Sequence, residues 1–143
     1  MQVVKALEQI LADSYALYFK TQNYHWNVEG AEFRSLHLLF EGQYEDLAES
    51  LDEFAERVRS LGAKVPALSN LIKLASIDEA NPNVTANEML KSLTKDQDII
   101  RDTLYKGLKV AQVEGDEGTA DMIIGRIKMH EKNRWMLKSS ILV

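Results

Sequence analysis

Histidine is scarce in this chain, and two of its three copies fall within QNYHWNVEGAEFRSLHLLFEG, residues 22–42. His25 sits between Tyr24 and Trp26, and His37 between Leu36 and Leu38. A neutral imidazole offers a nitrogen lone pair to a metal ion, so the question is which other ligand-type side chains share a face with it. With His37 at zero on a helix that advances about 100° per residue, Glu41, Asp52 and Glu56 fall at about 40°, 60° and 100°. The apolar face is centred near about −60° on the same count, so the four residues form a polar stripe along its edge. Asp46, Glu49 and Glu53 are expected to face solvent.

Within the stripe the residues cluster as two pairs at i, i+4 spacing, His37 with Glu41 and Asp52 with Glu56. Such neighbours can grip one ion. His37 and Asp52 are separated by about 22 Å along the helix axis, so one chain cannot bring both pairs to one ion. A second copy of the helix, antiparallel across a two-fold axis between Asp46 and Leu47, changes this. His37 then faces Glu56, and Glu41 faces Asp52, so both pairs register at once. A two-fold dimer has a self-complementary interface and would carry two equivalent sites. His25, at the end of the first helix, could add a second imidazole. Mixed nitrogen and oxygen ligands of this kind suit iron or another first-row divalent metal better than a structural zinc tetrahedron.

Ordinary roles compete for the same residues. Acids at i, i+4 on a long helix are usually solvated or paired with Lys and Arg, and Arg57 and Arg59 are at hand. A histidine among apolar residues is often a hydrogen-bonded core group, and Trp26 beside His25 is often packing. His130 shares a face with Ile123, Ile127, Leu137 and Ile141 and is assigned to core or interface. A di-iron centre inside a bundle would call for two Glu-x-x-His motifs, and the chain has none.

The elements that must position these residues are helical. Apolar residues recur at Leu7, Leu11, Tyr15 and Tyr18 in a first segment, about residues 3–27, with Gln22 and His25 continuing the phase. Gly30 closes it. A second segment, about 31–61, presents Phe33, Phe40, Tyr44, Leu47, Leu51 and Val58, and stops at Gly62. A connector that contains both prolines, Pro66 and Pro82, carries one short helix at about Asn70–Ala75. Thr85 and Glu88 form a capping box for a helix over about 86–113. EGDEGT reads as a loop, with Thr119 capping a last helix over about 120–142. No strand pattern, repeat or low-complexity tract appears. This predicts an all-α single domain over residues 1–143, a four-helix bundle with a short extra helix between helices two and three. The connector is long enough to cross the bundle, which favours a ferritin-like arrangement over a simple up-down-up-down one.

Composition bounds the function. The 143 residues are 45% hydrophobic and 27% charged, with a net charge of −5 and no cysteine. There is therefore no disulfide framework and no thiolate metal site. No apolar run approaches the roughly 20 residues that span a membrane. MQVVKALEQILADSY lacks the basic start and apolar middle of a signal peptide, so a cytoplasmic location is expected. The scattered Lys and Arg residues argue against coating nucleic acid with the whole surface.

NYHWNVEGAEFRSLHLLFEGQYEDLAESLDEFAERVRSLG resembles the signature of the Dps proteins (DNA-binding protein from starved cells), or mini-ferritins. DMIIGRIKMHEKNRWMLKSSI is similar to the last helix of that family, so the resemblance covers essentially the whole chain. It implies a hollow homo-dodecamer that oxidises Fe(II), preferentially with hydrogen peroxide. It also implies storage of a ferric mineral within the shell and protection against oxidative stress. Carried over by position, the ferroxidase ligands are His25, His37 and Glu41 from one subunit and Asp52 and Glu56 from its partner. The family most often has aspartate where Glu41 stands, which moves the carboxylate by one methylene. Trp26 resembles a residue beside the centre that supplies or quenches electrons. The acids of EGDEGTADM, foremost Glu117 and Asp121 and then Asp116, correspond to those lining an iron-admitting pore. Members that coat DNA often carry a Lys-rich extension. This chain starts almost directly in its first helix, so weak duplex binding is expected. A DNA-protecting shell with weak metal chemistry is the alternative.

Overall fold

The computed structural model describes all 143 residues and contains five helices: α1 (Gln2–Asn27), α2 (Phe33–Ser60), α3 (Leu68–Leu74), α4 (Ala86–Val113) and α5 (Glu117–Ser139). The loops after α1 and α4 are short, so α1 pairs with α2 and α4 with α5 as two antiparallel hairpins. Residues 61–85 then carry the chain across the bundle, with α3 packed on α1. The fold is the all-α, ferritin-like bundle expected from the apolar periodicities.

The core is built from the apolar faces of the four long helices. Leu7, Ile10, Leu11 and Leu17 of α1 meet Phe40, Leu47 and Phe54 of α2, with Leu93, Ile100 and Leu104 of α4 and Ile123 of α5, all almost wholly buried. Each such side chain contributes about 1.5–3 kcal/mol by leaving water. Two residues expected on these faces lie outside the core. Tyr15 is 40% exposed and Phe33 is 42% exposed, because each stands at the margin of its apolar stripe.

The helix ends follow local chemistry. Thr85 and Glu88 form the expected capping box at α4. At α5 the cap is Asp116, not Thr119. The Asp116 carboxylate accepts the Thr119 backbone N–H at 3.0 Å and the Thr119 hydroxyl at 2.6 Å. A carboxylate at the N-cap serves the free N–H groups and the positive helix end together, so α5 starts three residues earlier than the periodicity predicts. Its far end also stops short, at Ser139. There the Asn87 side chain donates to the Leu142 carbonyl at 2.9 Å and accepts the Leu142 N–H at 2.8 Å, which ties the tail to the start of α4.

The crossing connector is held by a buried carboxylate. Asp13 is fully buried in α1. It accepts the Ser76 backbone N–H at 2.7 Å, the Ser76 hydroxyl at 2.9 Å and the Thr103 hydroxyl at 2.7 Å. One side chain thereby joins α1, the connector after α3, and α4. Asp13→Ala is expected to destabilise the subunit by about 2–4 kcal/mol in urea unfolding, because it strands buried donors as well as removing charge-assisted bonds. A loss below 1 kcal/mol, on the order of a surface substitution, would show that the connector is held by packing alone.

Candidate metal centre

The α1–α2 hairpin decides where the imidazoles go. His25 lies in the last turn of α1, Val28 leaves the helix in an extended conformation, and Gly30 turns the chain at φ +112°. A side chain at position 30 would be strained in that left-handed region. The return places His37 beside His25. His25 Nδ1 donates to the His37 backbone carbonyl at 2.7 Å, and His37 Nδ1 donates to the His25 carbonyl at 2.7 Å. Carbonyl oxygens only accept, so each Nδ1 carries a proton, and in the neutral ring Nε2 keeps the lone pair. The two rings stack with centroids 3.8 Å apart and planes within 13°. The Phe33 ring covers the outer face of His37 at 5.0 Å, and Tyr44 meets His25 edge-on at 5.2 Å. Phe33, although exposed, thus braces a ring. Fixing Nδ1 on a carbonyl is the second-shell bond that orients a metal-binding imidazole.

Glu41 is half-exposed one turn further along α2, while Asp52 and Glu56 are exposed toward its other end. Glu56 is raised above the ordinary carboxylate range, first by its hydrogen bond to Asp52 and then by the negative charge there. The ordinary neutralisation by neighbouring arginines does not occur. Arg57 turns away to donate to Thr119 Oγ1 at 2.9 Å and Asp116 Oδ1 at 2.8 Å, and Arg59 donates to the Ala63 carbonyl at 3.0 Å. The ion pairs of the chain involve none of Glu41, Asp52 and Glu56. A single subunit gathers no three metal-ligating side chains at one point. It presents an imidazole pair with Glu41 at one end of α2 and a carboxylate pair at the other.

The remaining candidates divide. Trp26 is 56% exposed, and its ring lies edge-on to Phe19 at 6.3 Å. Glu117 and Asp121 are exposed at the start of α5. Asp116 is committed elsewhere: burial pushes its carboxyl up, but the hydrogen bonds from Thr119 and Arg57 outweigh this and hold it low. Gly118 leaves room for that contact, since a Cβ there would come within 2.9 Å of Arg57 Nη2.

Periodicity missed one polar assembly. Asp46, expected in solvent, takes Arg126 through both oxygens at 3.0 Å. Arg126 also donates to His130 Nε2 at 3.1 Å, and His130 Nδ1 donates to Gln97 Oε1 at 2.7 Å. His130 is 1% exposed, as a core residue should be. The only hint in the sequence is that Arg126 and His130 stand at i, i+4.

The chain matches the family model of the ferritin-like domain over residues 4–141. DNA protection during starvation protein 2 of Bacillus anthracis is 37% identical, over 96% of this chain and 95% of that protein. The crystal structure of Dps from Staphylococcus aureus superposes with a TM-score of 0.94 at 33% identity, covering 99% of this chain and 95% of that one. This chain belongs to the Dps family. Dps of Vibrio cholerae, described as a member of a broad superfamily of ferritin-like diiron-carboxylate proteins, superposes with a TM-score of 0.92 at 34% identity. That match covers 96% of this chain and 87% of the other. In this Dps the buried polar residues include Gln43, Gln97, Arg126, His130 and Asn133.

Burial, and then the charge of Arg126, lower His130 to about 3 from 6.5. The unfolded chain binds a proton there below 6.5 and the folded chain does not, so this stability is present above 6.5 and is lost as pH falls toward 3. His130→Gln is expected to make the decline of unfolding free energy shallower by up to about 1.4 kcal/mol per pH unit across that window. Parallel pH profiles for the two proteins would mean that His130 is already charged in the fold.

Proposed function

We propose that this Dps chain is a ferroxidase that oxidises Fe(II) with hydrogen peroxide at centres shared by two subunits. A hollow shell, a dodecamer in this proposal, keeps the ferric product and so limits oxidative stress in the cytoplasm. The observation that carries the proposal is the reciprocal clasp of His25 and His37, which commits each Nδ1 to a carbonyl and leaves each Nε2 free, one turn of α2 before Glu41. Asp52 and Glu56 of the partner subunit would complete the ligand set, because the two-fold register derived from α2 sets His37 against Glu56 and Glu41 against Asp52. Iron is the substrate here. The imidazoles hold Fe(II), and three carboxylates favour the more highly charged Fe(III) that forms, which lowers the cost of electron loss. Glu41, one methylene longer than aspartate, reaches further from the helix for the same purpose.

The proposal extends to iron supply. Glu117 and Asp121 are the free carboxylates at the start of α5, and we assign them to the cation pore. No helix is long and apolar enough to cross a membrane. The second reading, a DNA-protecting shell, is favoured by the names of relatives such as that of Bacillus anthracis. The net charge of −5 opposes it.

Replacing the pore acids together, Glu117→Gln with Asp121→Asn, is expected to slow Fe(II) uptake at low ionic strength while light scattering shows the shell intact. Unchanged uptake would leave them as helix-end charges only.

Sharing of the centre has its own signature. His37→Ala and Asp52→Ala shells should each lose rapid peroxide-driven Fe(II) oxidation. In a mixed two-fold dimer one site carries both lesions and the other carries none, so co-assembled shells should regain up to about half of the wild-type sites per mixed dimer. Co-assembled shells, verified by mass, that keep only mutant rates would refute the intersubunit centre. A wild-type shell with no iron oxidation would leave the DNA-protecting role standing.

A further inference from the structure

A cleft of about 500 Å³ opens between the first half of α1 and the second half of α4, with the connector after α3 along one side. Its size suits a small molecule. It shares no residue with the candidate metal centre or with the acids at the start of α5. Acids outnumber basic residues 22 to 17 in the chain, yet no Asp or Glu lines this cleft and two lysines do. Lys5 stands on the α1 wall and Lys106 on the α4 wall, both exposed, and neither takes part in an ion pair. The two helices run antiparallel, with Thr103 bonded to Asp13 and the Gln2 N–H to Glu114 Oε1. Gly107 lies against Ile10, where a Cβ would meet Ile10 Cδ1 at 2.8 Å. Lys106 therefore stands about 8 Å along the axes from Lys5. Two flexible four-carbon stems can close that span on one anion.

The floor of the cleft has the opposite character. The Ser76 hydroxyl gives its one proton to Asp13 at 2.9 Å, and the Thr103 hydroxyl gives its own at 2.7 Å. Gln9 donates its amide to the Leu74 carbonyl at 2.9 Å. What these three side chains have left for a ligand is chiefly acceptor oxygen. Asp13 itself is fully buried. A molecule in the cleft thus meets cations on both walls and acceptors below, which calls for an anionic group joined to hydroxyl donors. We infer that the cleft binds a small organic phosphate whose body carries hydroxyl groups. The phosphate lies between Lys5 and Lys106, and the hydroxyls donate to Ser76 Oγ and Thr103 Oγ1. A phosphate presents oxygens to both walls at once, which a planar carboxylate does less well. The bound molecule bridges α1, α4 and the crossing connector, and so stabilises the subunit by mass action. No iron takes part, and the site stands or falls apart from the function proposed above.

The test is isothermal titration calorimetry on iron-free protein at moderate salt, with ribose 5-phosphate, inorganic phosphate and ribose as probes and light scattering to follow assembly. Ribose 5-phosphate is expected to bind with a Kd of about 1 mM or tighter, inorganic phosphate more weakly, and ribose not at all. Lys5→Met and Lys106→Met should each weaken ribose 5-phosphate by about tenfold or more, the loss of one charge-assisted bond. Lys109→Met, on the same helix but outside the cleft, should change nothing. Ser76→Ala should weaken ribose 5-phosphate and leave inorganic phosphate unchanged, because only the sugar hydroxyls use that oxygen. Absence of binding, or binding indifferent to both Lys5→Met and Lys106→Met, overturns the site. Inorganic phosphate bound as tightly as ribose 5-phosphate overturns recognition of the hydroxylated body. A DNA duplex that displaces ribose 5-phosphate would assign the two lysines to nucleic acid and overturn the small-molecule site.

Discussion

The clasp between His25 and His37 is the contact on which the candidate centre depends. Each ring spends its only donor on the other's backbone carbonyl. One pair of hydrogen bonds therefore does three things. It closes the end of the α1–α2 hairpin, it places a proton on both Nδ1 atoms, and it holds the two rings in a stack. Neither bond could form if the turn at Gly30 were longer or straighter, because the two carbonyls belong to residues twelve positions apart on antiparallel helices. Chemistry and hairpin geometry are one constraint.

The same constraint explains why the proposed centre calls for two subunits. The clasp sits at the start of α2, and the Asp52–Glu56 pair near its end, roughly 22 Å away. The hydrogen bond to Asp52, and then the negative charge there with no arginine between, hold the Glu56 carboxyl above its ordinary range. A cation, or a partner surface that brings one, relieves that repulsion. Arg57 is kept from doing so by Asp116 and Thr119, which hold its guanidinium at the start of α5. Asp116, in the loop before α5, thus leaves the carboxylate pair without an arginine partner.

Much of this was legible in the sequence because it is periodic. The long helices, the connector helix, the Thr85 capping box and the stripe of His37, Glu41, Asp52 and Glu56 all follow from spacing alone. What spacing missed is polar contact between elements. Asp46 reads as a solvent residue by phase, yet Arg126 reaches it from α5. Asp13 carries no signal in the spacing, yet it anchors a connector more than sixty residues away. Thr119 reads as a cap, but the Asp116 carboxylate accepts the Thr119 N–H itself and starts the helix a turn earlier. In each case a partner distant in sequence, or a competitor a turn away, determines the outcome. Helical period carries no information about either.

The Arg126 network also bears on where a metal can sit. A bundle of this kind places polar side chains of facing helices along its axis, and a cation site there would need carboxylates and free imidazole nitrogens. Here a guanidinium occupies that space. Its charge is matched by the single carboxylate of Asp46, and the one interior imidazole gives its Nε2 to Arg126 and its Nδ1 proton to Gln97. Burial keeps that imidazole neutral, but both its nitrogens are spent. Admitting a metal ion would set two positive charges in a medium of low polarity, at a cost of several kcal/mol per unpaired ion. Around His130 the interior thus offers a cation no free ligand. The remaining imidazole nitrogens belong to the α1–α2 hairpin and the unpaired carboxylates Asp52 and Glu56 to the far end of α2, a separation of roughly 22 Å that one chain does not close.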